Sequence, residues 1–363
     1  MTCDDWWDDP WDLAGFAATV GTALQEFVDR QGAWLGDLGE DARRLLEHAR
    51  TSASGGKRLR AAFCWWGHRA VGRPADPHAL VRACASLELL HASALVHDDY
   101  IDASDVRRGR PATHRAFARL HTQSGWAGDP GQYGASAAIL LGDLLLSWSD
   151  ELLRTCGLPE QQVLEALGYF DKARSEVVTG QFLDVSAQAR GASDVDGVET
   201  AMTVLRYKSA KYSIERPLHI GAALAGADPG LFGHLSAFGL PLGEAFQLRD
   251  DLLGVFGDPD VTGKPAGDDL REGKRTVLIA LALDALSPAE AAELEASLGT
   301  TLPAARVDRI RTMIEGCGAR QQVEDAIAGL TERSLAALEA APFEQSARDV
   351  LRDLASAATQ RAV

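Results

Sequence analysis

The sequence predicts an all-α protein, and three observations carry that prediction. Ala, Leu, Glu and Arg recur in long blocks of helical period. Segments of alternating β-branched residues are nearly absent. Pro- and Gly-containing stretches separate the blocks at conventional positions.

In chain order, the periodicity predicts helices at 12–29, 37–52, 58–71, 77–103, 112–121, 135–156 and 159–189. Further helices follow at 198–225, with a break near Pro217, and at 229–256, 274–286, 288–298, 304–315, 319–340 and 343–359. Loops at 73–77, 122–134, 190–197 and 257–273 are rich in Pro, Gly, Ser and Asp. None is a long linker, composition does not shift along the chain, and no short repeat recurs. The 363 residues therefore read as one helical domain over 12–363, preceded by an acidic, Trp-rich tail over 1–11 that is expected to be flexible.

The formal charge is −16, with 36 basic and 52 acidic side chains. That balance argues against non-specific binding to nucleic acid or an anionic membrane. An anionic substrate would need the minority of basic residues concentrated in one place. The five cysteines are widely spaced and contain no CxxC pair, so a reducing compartment fits better than a disulfide framework or a zinc site. The start (MTCDDWWDDP) does not read as a secretory signal, and no uncharged apolar run of 18 residues occurs, so no membrane span is expected.

Two central segments, SLELLHASALV (86–96) and SAAILLGDLLLS (136–147), are apolar on more than one face. Carboxylates beside such helices need partners, because an unpaired buried charge is costly. The first cluster is His97-Asp98-Asp99-Tyr100-Ile101-Asp102, followed by Asp105, Arg107 and Arg108. Asp98 and Asp102 are four apart and share a helix face, with His91 two turns earlier on that face. Mg²⁺ between them would relieve their repulsion and keep waters for a phosphate to displace. A solvated acidic helix end is the plainer alternative. The second cluster is Phe246-Gln247-Leu248-Arg249-Asp250-Asp251, where Gln247 and Asp250 face one way. Alone it is weak evidence. Two such clusters on apolar helices suggest carboxylates facing a cavity.

The third feature is Gly55-Gly56-Lys57-Arg58-Leu59-Arg60, a basic turn before a helix and a plausible anion site. Lys208, Lys211, Lys264 and the Lys274-Arg275 pair add basic positions. Metal-binding carboxylates together with phosphate-binding cations imply a diphosphate substrate.

These motifs resemble the trans-polyprenyl (isoprenyl) diphosphate synthases, and most resemble a geranylgeranyl diphosphate synthase. The matching segments are GGKRLR (55–60), ELLHASALVHDDYIDASDVRRGRPATH (88–114), GD (142–143), GQFLD (180–184), YKSAKY (207–212), FQLRDDLLG (246–254) and TGKPAGDDLREGKRT (262–276). The resemblance implies a large antiparallel helix bundle around a deep central cavity, a homodimer and a cytoplasmic enzyme. It implies a Mg²⁺-dependent prenyltransferase that condenses isopentenyl diphosphate with an allylic diphosphate, with about three Mg²⁺ ions per site.

Residue by residue, the resemblance makes Asp98, Asp102 and Asp250 the metal ligands, with Asp99 and Asp251 supporting them. It assigns Arg107, Lys208 and Lys264 to the allylic diphosphate, with Gln247 nearby. Lys57, Arg60, His91 and Arg108 go to isopentenyl diphosphate, and Gln181 and Asp184 line the metal side. One position departs from the pattern: Gly254 stands where a third aspartate is usual, and Asp258 is the nearest acid after it.

Product length is expected to follow the turns before Asp98. Ser93 and Ala94 are small, and the next larger residue on that side is Leu90, about 12 Å away at 1.5 Å per residue. Trp148 and Phe182 are further candidates for a floor. Geranylgeranyl diphosphate (C20) is the expected product, and Ser93→Phe is expected to shorten it. Close helix packing is the competing reading of the small residues. Longer or shorter products, a terpene cyclase and a non-catalytic subunit remain alternatives. A cyclase would not need Lys57, Arg60, His91 and Arg108, and a non-catalytic subunit would be expected to have lost carboxylates.

Overall fold

Aspartates before helix-compatible runs set several of the starts. The computed structural model describes residues 11–190, 197–258 and 267–360. Lys264 and residues 1–10 lie outside that set. Asp12 caps α1 (Leu13–Leu35) by accepting from the Ala14 amide at 2.9 Å. After α2 (Glu40–Ser52) and α3 (Leu59–Arg69), Asp76 caps α4 (Pro77–Ile101) through the Ala79 amide at 2.9 Å. Pro77 occupies the first turn of α4, where a missing N–H costs little. Asp129 and Pro130 repeat this device at the start of α6 (Pro130–Arg154), which follows α5 (Thr113–Gln123). That pair starts α6 five residues earlier than the periodicity predicts, so the expected 122–134 loop is shorter.

The remaining helices are α7 (Glu160–Arg190), α8 (Gly197–Leu205), a π-helical segment (Arg206–Glu215), α9 (Arg216–Leu224) and α10 (Pro229–Phe256). They continue as α11 (Asp268–Glu272), α12 (Val277–Ala285), α13 (Pro288–Glu295), α14 (Ala304–Gly316), α15 (Ala319–Ala340) and α16 (Gln345–Thr359). The break expected near Pro217 is a change of helix type. The wide π segment ends at Glu215, and Pro217 sits in the first turn of α9. A two-stranded hairpin, β1 (Val106–Arg107) and β2 (Arg110–Pro111), interrupts the all-helical pattern. Its strands are too short to show a two-residue period.

The chain divides into two compact units, residues 1–168 with 220–227, and residues 169–219 with 228–363. In the first, α4 packs on α6, α1 and α3, and α5 packs on α6. Its core holds Phe16, Phe27, Phe63, Trp65, Leu80, Leu87, Leu141 and Leu145, all fully buried. In the second, α10 packs along α15 and the π segment, and α12 packs on α8 and α15. Leu248, Leu252, Leu270, Ile279, Ile310, Ile314 and Val323 form its core.

Trp11, assigned to the tail on sequence, belongs to the folded body. Its ring packs on Phe16 and Trp66, each at 5.1 Å. Among the described residues α4 is long and apolar enough to cross a membrane, and 78% of its most apolar window is buried in the fold.

Candidate functional site

In the first unit, the end of α4 presents the first acidic motif. Asp98 and Asp102 are partly exposed, while Asp99 is buried. Asp99 is not free for a metal. It accepts from Arg107 Nε at 2.8 Å and pairs with the same guanidinium through Nη2. Arg107 also stands 3.9 Å from Asp98. Asp99 therefore holds Arg107 beside Asp98. The oxygen donors of Asp98 and Asp102, one turn apart at a helix end, fit a hard cation such as Mg²⁺.

Arg107 reaches Asp99 because the hairpin turns tightly. Val106 pairs with Pro111 and Arg107 with Arg110, leaving Arg108 and Gly109 as the two-residue turn. Both turn residues have positive φ, 51° and 72°, as a primed hairpin turn requires. The turn sends Arg108 toward the basic loop, where its Nη1 donates to the Ser54 carbonyl at 2.5 Å. Gly56, with φ 89°, lets that guanidinium pass, since a Cβ there would stand 3.1 Å from Arg108 Nη2.

The basic loop itself is held from below. Arg58 has φ 54° and is buried. Its guanidinium donates to Glu88 at 3.1 Å and to the Ala53 carbonyl at 2.6 Å. The other Glu88 oxygen accepts the Ala61 amide at 3.2 Å, satisfying a donor in the first turn of α3. Among the described residues the non-glycine positions with positive φ are Arg58, Ala103 and Arg108. All three flank this site, where backbone strain commonly collects.

The cations this arrangement gathers act on one another. Burial, followed by Arg60, Arg108, Arg107 and Arg58, holds His91 well below its ordinary pKa, so the ring is neutral. Burial and then Arg58 lower Arg108 as well. Like charges crowded this way lower their mutual repulsion by taking up a multivalent anion. The structure thus brings together His91, Arg60, Arg107 and Arg108, with Lys57 exposed on the same loop. Sequence reasoning counted Arg58 among the cations of the basic turn and gave Glu88 no role; it missed their buried pairing, which spans 30 residues.

Product-length candidates separate on α4. Ala94 lies about 40° from Asp98 around the helix, at 100° per residue, and is partly exposed. Ser93 is buried and donates to the Gly142 carbonyl of α6 at 2.7 Å. That contact is helix packing. Leu90 is buried. Trp148 packs edge-on to Phe27 at 6.0 Å, whereas Phe182 is 68% exposed.

In the second unit, α10 carries the second acidic motif in the same pattern. Asp250 is partly exposed and Asp251 is buried. Asp251 accepts from Gln247 Nε2 at 2.8 Å, so Gln247 supports the motif directly. Burial and then Asp269 push the Asp251 carboxyl up to about 8. The Gly254 position is not vacant space. A Cβ there would lie 1.9 Å from Asp269 Oδ2 of α11. Asp258 is exposed beyond the end of α10.

Lys208 sits on the π segment and donates to the buried Asp184 at 2.6 Å. The backbone of Lys208 approaches Gly180 so closely that a Cβ there would meet its amide nitrogen at 2.3 Å. Arg216, paired with both oxygens of Glu176 at 2.7 Å, anchors the end of the π segment. Gln181 is partly exposed one turn before Asp184.

A profile of the family described as polyprenyl synthetase matches residues 43–315. A geranylfarnesyl diphosphate synthase from Aeropyrum pernix is 32% identical over 292 residues, 80% of this chain and 85% of that protein. A geranylgeranyl diphosphate synthase from Methanosarcina mazei is 32% identical over 272 residues, 72% of this chain and 76% of that protein. Among solved structures, a geranylgeranyl pyrophosphate synthase from Corynebacterium glutamicum, complexed with isoprenyl diphosphate and magnesium, superposes with a TM-score of 0.93. It is 41% identical and covers 97% of this chain and all of that one. The acidic and basic motifs lie within the matched span, and the chain belongs to the polyprenyl synthetase family of prenyltransferases.

Proposed function

We propose that the chain condenses isopentenyl diphosphate with an allylic diphosphate and makes a trans product of twenty carbons. The observation that carries this reading is the basic cluster of the first unit. Arg60, His91 and Arg108 cluster with Arg107, which stands 3.9 Å from Asp98, and this supports a place for a diphosphate in that unit in addition to the metal ligands. A cyclase acting on one diphosphate has no need of that second set.

Asp98, Asp102 and Asp250 are the proposed metal ligands. Bound Mg²⁺ supplies charge neutralisation to the diphosphate leaving group. Arg107 and Lys208, with Lys264 outside the described residues, hold the allylic diphosphate as negative charge grows on it. Fixed cations there stabilise the transition state more than the ground state. Asp99 and Asp184 orient two of these cations, and Gln247 and Asp251 brace the second motif. Gln181 lines the metal side. Lys57, Arg60, Arg108 and neutral His91 bind isopentenyl diphosphate so that its double bond attacks the allylic carbocation. The proton then lost passes to the departing diphosphate.

Ala94 on the Asp98 face supports a C20 product, since a small side chain there leaves the chain room to grow. Residues 12–363 are proposed to act as one catalytic domain, as a homodimer in the cytoplasm and with about three Mg²⁺ ions per site. Exposed Ile139 and Leu140 on α6 would suit a subunit contact. The test is incorporation of labelled isopentenyl diphosphate with Mg²⁺ and dimethylallyl, geranyl or farnesyl diphosphate. A cyclic hydrocarbon from a single diphosphate would favour the cyclase.

A further inference from the structure

Two polar contacts fix how α15 lies along α10. The fully buried Ser334 hydroxyl donates to the Phe238 carbonyl at 2.7 Å. Pro241, three residues further along α10, removes the N–H that would serve the neighbouring Ala237 carbonyl. At the other contact, Glu324 receives both terminal nitrogens of Arg249, at 2.8 and 2.6 Å. The contacts are 11 residues apart on α10 and 10 apart on α15. At 1.5 Å per residue these spans are about 16 and 15 Å. Matched spans running in opposite directions define a single antiparallel register.

Arg249 is also tied to the end of α16. Its Nε donates to the Thr359 carbonyl at 3.1 Å, one of the last carbonyls of that helix and without a donor inside it. Only 12% of the Arg249 side chain is exposed. Further along α10, Arg311 Nε donates to the Val255 carbonyl at 2.6 Å. Asp250 sits between these two anchors and next to Arg249, about 100° around the helix.

We propose that Glu324, acting through Arg249, is a positioning residue for Asp250. It fixes the rotation and axial placement of the turn that presents the second acidic motif. The inference rests on the proposed role of Asp250 as a metal ligand. It extends the functional framework to α15 and α16, which lie beyond the residues 43–315 matched by the family. Chemistry that depends on placement is lost steeply with small displacements, on the order of a hundredfold for 1 Å.

The experiment uses the full chain and compares Glu324→Gln, Arg249→Glu and the swap Arg249→Glu with Glu324→Arg. Steady-state rates give kcat, the KM for isopentenyl diphosphate and the Mg²⁺ concentration at half rate. Thermal denaturation with and without Mg²⁺ and inorganic diphosphate gives a binding readout independent of turnover. In Glu324→Gln, kcat is expected to fall about 10–100-fold. Its Mg²⁺ requirement should rise several-fold, and its stabilisation by Mg²⁺ with diphosphate should shrink. The KM for isopentenyl diphosphate should stay within about twofold, and the swap should recover part of the loss. A lower melting temperature with unchanged kcat and unchanged Mg²⁺ dependence would overturn the proposal, as would a diphosphate-induced shift equal to wild type. If the wild-type chain elongates nothing, the proposed reaction fails, while the diphosphate-induced shift still decides the role of Glu324.

Discussion

The carboxylate of Asp269 occupies the space that a side chain on residue 254 would need, 1.9 Å from the position of a Cβ on Gly254. The glycine in the second acidic motif therefore makes room for a carboxylate supplied from α11. Asp269 is buried and lies 3.6 Å from Lys274 Nζ, which restricts where it can go. Restoring the usual aspartate should harm the protein. Gly254→Asp is expected to lower stability by about 1–3 kcal/mol, as overpacking does, and to raise the Mg²⁺ requirement. Adding Asp269→Gly should reverse part of both effects. Urea unfolding and Mg²⁺ titration of the rate check this. A gain in Mg²⁺ affinity from Gly254→Asp alone would contradict it.

Glu88 and Arg58 form an ion pair 3.1 Å long, with only 5% of each side chain exposed. Glu88→Ala leaves a buried guanidinium without its carboxylate, which costs about 3–5 kcal/mol. The same variant frees the Ala61 amide and loosens the basic loop. The KM for isopentenyl diphosphate should then rise more than kcat falls. Urea denaturation and a KM-against-kcat comparison test both parts. Wild-type stability in Glu88→Ala would refute the account of the loop.

His68 supplies a pH test. Burial holds its pKa down at about 4, against about 6.5 in the unfolded chain. Below pH 6.5 the unfolded chain takes up a proton that the folded chain does not accept until about pH 4. Stability present at pH 7 is therefore lost as pH falls through that window. Relative to His68→Gln, which does not titrate, wild type should lose on the order of 2 kcal/mol by pH 5. Unfolding curves at pH 7 and pH 5 measure the difference, and a gap independent of pH would count against neutral burial.

Ala94 and Ser93 should respond differently to the same substitution. Ala94→Phe places a ring one turn before Asp98 and should shorten the product by one or more isoprene units. Ser93→Phe must displace the contact with the Gly142 carbonyl, so its main effect should be a stability loss of about 1–3 kcal/mol. Sizing the alcohols after dephosphorylation, beside thermal denaturation, separates the two. An unchanged product from Ala94→Phe would remove that residue from length control.

Much of this arrangement was legible in the sequence because its signals are local. The spans 229–256 and 319–340 agree with the structure at both ends, and the paired aspartates announced both acidic motifs. What was hidden depends on partners far along the chain. Glu88 serves an amide 27 residues away, and Arg249 finds Glu324 75 residues away. The division of labour within each aspartate pair was hidden for the same reason. Nothing in the string Asp98-Asp99 shows that Arg107 claims the second carboxylate, nor in Asp250-Asp251 that Gln247 does. The π segment left no mark in the local periodicity, although its backbone at Lys208 lies close against Gly180.

The most direct measurement incubates the purified chain with Mg²⁺, labelled isopentenyl diphosphate and, in separate reactions, dimethylallyl, geranyl and farnesyl diphosphates. The products are then dephosphorylated and the alcohols sized. Label incorporated into a linear alcohol of twenty carbons is the predicted result. Absence of incorporation with all three primers would contradict the proposed condensation.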